Sequence, residues 1–92
     1  MIVRILGEGQ LQVDDSASAE LNSLDATLER AVNSGDEAAF RSALVALLDR
    51  VRALGTPLAT EVLEPSDSIL PRADADLDEV RSMLTDEGYI PG

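Results

Sequence analysis

"LNSLDATLERAVNSGDEAAFRSALVALLDRVRALGTP", residues Leu21 to Pro57, holds two apolar stripes of one period separated by a single break. Leu21, Leu24, Leu28, Ala31 and Val32 recur three and four residues apart, the spacing that places them along one side of an α-helix. Asn33-Ser34-Gly35 interrupts the pattern, and Gly suits the left-handed position that ends a helix. Asp36 can cap a second helix at once, with Phe40, Ala43, Leu44, Leu47, Leu48, Val51 and Leu54 as its stripe. Gly55 and Pro57 stop it. Two amphipathic helices of roughly five turns joined by about three residues make an antiparallel helical hairpin. Arg30, Arg41, Arg50 and Arg52 alternate with Asp25, Glu29, Glu37 and Asp49, the mixture of solvated helix faces. The leucine stripes form a core, with any part the hairpin leaves uncovered available to a second copy or another helical protein.

Before the hairpin, "MIVRILGEGQLQV" alternates with the period of a strand: Met1, Val3 and Ile5 face one way, Ile2, Arg4 and Leu6 the other. Leu11 and Val13 alternate with Gln10 and Gln12, so the segment reads as a β-hairpin turning at Gly7-Glu8-Gly9. Those glycines do not form a dinucleotide-binding loop, because Gln12 stands where a third Gly is needed and a strand follows in place of a helix. Asp14, Asp15 and Ser16 are N-cap candidates for the first helix.

Beyond the hairpin, Pro65 and Pro71 confine Ser66 to Leu70 to extended or turn geometry. Ile69 and Leu70 can supply a short third strand, which the β-hairpin needs because two strands alone are rarely stable. Asp76-Leu77-Asp78-Glu79 has the spacing of a capping box, and Leu77, Val80, Met83 and Leu84 form the apolar side of a last helix ending near Gly88. The fold class expected is α+β in a single domain over residues 1–92.

Composition removes several functions. The chain has neither Cys nor His, so thiol and imidazole nucleophiles, zinc sites built on them and disulfides are excluded. With 18 acidic and 7 basic residues the net charge is −11, which repels nucleic acids and anionic membranes and attracts basic protein surfaces. No apolar run approaches the roughly 18 residues of a membrane span, and "MIVRIL" is too short for a secretory signal. The expectation is a cytoplasmic protein that reaches a membrane only through a partner.

The carboxylates after Pro71 imitate a calcium loop without completing one. Asp74, Asp76 and Asp78 alternate correctly, but Glu79 stands where the loop needs Gly and Thr85 where it needs a bidentate Glu. At a helix start these carboxylates serve as caps. Asp14/Asp15 and Asp86/Glu87 are carboxylate pairs without an evident cleft, and Ser66, Ser68 and Thr56 lack a base to activate them. No catalytic, metal or cofactor residues are expected. The terminal Tyr89, Ile90 and Pro91 are apolar and expected to dock on the fold or on a partner.

"MIVRILGEGQ", "FRSALVALLDRVRALGTPL" and "EPSDSILPRADADLDEVRSMLTDEGYIPG" together resemble the actinobacterial PspA-associated protein family, PspAA, over essentially the whole chain. Ser68 and Arg72 depart from it, standing where an apolar residue and a second Pro are expected. The resemblance implies a non-enzymatic accessory of PspA, the coiled-coil phage-shock protein of the envelope-stress response. An acidic adaptor can approach a basic coiled-coil surface while avoiding anionic lipid. The expected contact residues are Pro65, Ser66, Asp67, Ile69, Leu70 and Pro71 with Tyr89, Ile90 and Pro91. The alternatives are a homodimer or larger self-assembly that never touches PspA, and a small-ligand or metal sensor using Asp74 to Glu79.

Overall fold

The computed structural model describes residues 1–59 and 65–83. The chain runs β1 (Ile2–Ile5), β2 (Gly9–Gln12), a 3-10 turn (Asp15–Ala17), α1 (Ser18–Ser34), α2 (Glu37–Leu54), β3 (Thr56–Pro57), β4 (Ser68–Leu70) and α3 (Leu77–Met83). The fold is α+β, with the helical hairpin on one side of a mixed sheet.

The hairpin follows the stripe pattern closely. Leu21, Leu28, Val32, Leu44, Leu47, Leu48 and Val51 are fully buried, and Phe40 nearly so. Gly35 ends α1 with φ 73°, and its N–H bonds the Val32 carbonyl. The Asp36 side chain accepts from the Ala39 N–H at 3.1 Å and so caps α2. The cap expected for α1 belongs elsewhere: the Asp14 carboxylate accepts from the Ser16 N–H at 2.8 Å and starts the 3-10 turn, while α1 itself begins after Ala17 with no side-chain cap.

Asp25 is buried, contrary to the solvated position its charge suggested. The reason is geometric. It lies four residues after Leu21 and three before Leu28, inside the stripe that faces the core. Among the described residues, every buried side-chain nitrogen and oxygen has a hydrogen-bond partner.

The sheet has the order β3-β2-β1-β4. The β1–β2 hairpin pairs Ile2 with Gln12 and Ile5 with Gly9. The strand at Ser68–Leu70 joins it on the β1 side and runs parallel to β1, with Val3 opposite Ser68, Arg4 opposite Ile69 and Ile5 opposite Leu70. Thr56–Pro57, which reads in sequence as a helix stop, forms a further edge strand antiparallel to β2. An edge tolerates Pro57 because a missing N–H there can face away from the ladder.

The buried residues of the sheet and its ends include Val3, Ile5, Leu11, Val13, Ser68 and Leu70, and the aliphatic ones join the helix stripes in one core. Gly55 is where sheet and helix meet most tightly. A Cβ there would stand 2.8 Å from the Leu11 Cβ and 2.8 Å from the Val51 carbonyl oxygen.

The last helix begins as its sequence suggests. The Asp76 carboxylate accepts from the Glu79 N–H at 2.8 Å, and Val80 is buried beneath. Arg81 donates to the Val32 carbonyl at 3.2 Å, a second bond to the oxygen that already accepts from the Gly35 N–H, and so fixes α3 against the end of α1. Leu84 and the segment ending at Gly88 lie outside the described residues.

Candidate interaction site

The proline-framed segment is tied to the sheet by its polar residues. The Asp67 N–H donates to the Ile2 carbonyl at 2.8 Å, and the Asp67 carboxylate accepts from the Ile2 N–H at 2.7 Å. Ser66 Oγ accepts from Gln10 Nε2 at 2.8 Å, a bond that links the segment to β2 on the far side of β1. Strand alternation then divides the rest. Leu70 is fully buried and Pro71 is buried after it, whereas Ile69 points the other way and is 46% exposed. Pro65 and Asp67 are exposed and Ser66 is half-buried. Tyr89, Ile90 and Pro91 lie outside the described residues.

Six of the expected contact residues therefore form one continuous segment with two roles. Ser66, Asp67, Leu70 and Pro71 anchor it, and Ile69 with Pro65 presents apolar surface. Ile69 belongs to the sheet face that the helical hairpin does not cover. On that face Arg4 is flanked in register by Gln10 on β2 and Ile69 on β4, with Ile2 and Leu6 as its neighbours along β1. Leu6 is 37% exposed.

Arg4 has no role in the sequence reading beyond its outward direction. The available signal is that both of its outward neighbours, Ile2 and Leu6, are large aliphatic residues, whereas a purely solvated face would be polar throughout.

At one end of this face lies a shallow groove of about 210 Å³, lined by Leu6, Gly7, Glu8, Arg72, Ala73 and Asp74. Both of its walls are fastened to α2 by an arginine. Arg52 Nε donates to Glu8 at 2.8 Å, with a second bond from Nη2 to the same carboxylate, and Arg52 also reaches Asp49 at 2.9 Å. Those bonds hold the Glu8 carboxyl below its ordinary pKa and raise that of Arg52. Arg41 spans the opposite wall, donating to the Ala73 carbonyl at 2.7 Å and the Ala75 carbonyl at 2.9 Å while its guanidinium lies 5.1 Å from the Phe40 ring centre. Arg72 pairs with Asp74 at 3.1 Å across the groove's own lip. The groove is thus lined with charges that already have partners.

The acidic run beside it is similarly engaged: Asp74 by Arg72, Asp76 by the helix it caps, and Asp78 by Arg81 at 3.8 Å. Among the described residues no group of three or more ligating side chains is placed to hold a metal ion. No described helix is long and apolar enough to cross a membrane.

Compared with known proteins, the chain matches one family along its whole length: the family described as PspA-Associated protein, PspAA, over residues 1–92. No curated protein and no solved structure matches it.

Proposed function

We propose that this chain, which belongs to the PspA-associated protein family, is a non-enzymatic accessory of PspA that binds or regulates it by protein–protein contact. Family membership supplies the association. Ile69 supplies the contact: a large aliphatic side chain, 46% exposed, on a strand whose two other residues are buried. A buried strand anchored by Asp67 and Ser66 presents that side chain in a fixed position, which lowers the ordering cost of binding. The net charge of −11 keeps the adaptor away from anionic lipid and leaves PspA as its route to the envelope-stress response.

Affinity purification of the chain from its native cell, followed by mass spectrometry, tests this reading. PspA is expected among the captured proteins, and its recovery is expected to fall when Ile69→Asp replaces the wild type. Absence of PspA from the wild-type capture sinks the proposal.

A second reading uses the same observation. Two copies could cover each other's Ile69 and Leu6, giving a homodimer without PspA, although two chains of charge −11 repel each other. Light scattering on the pure protein at high concentration separates the two, since a monomer removes the self-assembly reading.

A further inference from the structure

We draw no further inference here: the strongest candidate, the shallow groove between the β1–β2 turn and residues Arg72 to Asp74, is lined by the Glu8 and Asp74 carboxylates already paired with Arg52 and Arg72, and nothing in the structure shows what would occupy it.

Discussion

Asp67 engages both backbone groups of Ile2: its N–H donates to the Ile2 carbonyl at 2.8 Å, and its carboxylate accepts from the Ile2 N–H at 2.7 Å. One residue thereby sets the register of the parallel β1–β4 pair, 65 positions apart in the chain. Asp67→Ala removes the acceptor while retaining the backbone bond, and the exposed Ile2 N–H can turn to water. A loss of about 1 kcal/mol is expected. Urea unfolding measures it, and Asp67→Asn should recover most of the loss because its amide oxygen can accept the same bond.

Gly55 makes a different kind of prediction because its neighbours cannot yield. A Cβ at this position meets the Leu11 Cβ and the Val51 carbonyl oxygen, each at 2.8 Å, and neither is the end of a flexible side chain. Gly55→Ala is expected to cost about 1–3 kcal/mol through displacement of β2 from α2. A drop in the thermal midpoint would follow. An unchanged midpoint would show that the strand can shift without penalty.

How much of this was legible depends on the sequence distance over which each feature is decided. Leu21, Leu28, Phe40, Leu44 and Leu47 mark the hairpin because helix periodicity is local, and Asp36 and Gly35 mark its turn by the chemistry of their own positions. The parallel pairing of β4 is set by contacts between distant residues such as Asp67 and Ile2, so Ile69 and Leu70 could announce a strand but not its neighbour or direction. Thr56–Pro57 is two residues long, too short to carry a period. Asp25 reads as solvated from its charge, and its burial follows from its place in the Leu21–Leu28 stripe. Of the candidate site, the segment from Pro65 to Pro71 is legible from its two prolines, which confine it to extended or turn geometry. The separation of Ile69 from Leu70 requires the strand's orientation.

Arg41 should matter through its shape as well as its charge. Its guanidinium bridges the Ala73 and Ala75 carbonyls, so one side chain holds the turn that leads into α3. Arg41→Ala leaves two carbonyls without that donor and removes the packing on Phe40, for an expected loss of about 1–3 kcal/mol. Arg41→Lys keeps the charge but lacks the planar fork, so only partial recovery is expected. Hydrogen exchange of the Ala75 N–H, which bonds the Arg72 carbonyl, reports the loosening directly. Equal protection in Arg41→Ala and wild type would refute the clamp.

Acid should weaken the molecule through its two bidentate pairs, and the sign can be worked out. Hydrogen bonds from Arg52 and Arg50 lower the folded-state pKa values of Glu8 and Glu20 below the ordinary value. Below that ordinary value the unfolded chain binds more protons than the folded one, so stability falls as pH drops and the contribution is gone once the folded carboxyls protonate. It is fully present above the unfolded value, near pH 5 and higher. Both pairs are solvent-exposed, which keeps the effect modest and salt-sensitive. Acid also relieves the repulsion of an 18-carboxylate chain and acts in the opposite direction, so the wild type alone does not isolate the pairs. The informative comparison is with Arg50→Gln/Arg52→Gln. Between pH 7 and pH 3.5 the wild-type thermal midpoint should fall further than that of the double variant, and parallel curves would show that the pairs contribute nothing to folding.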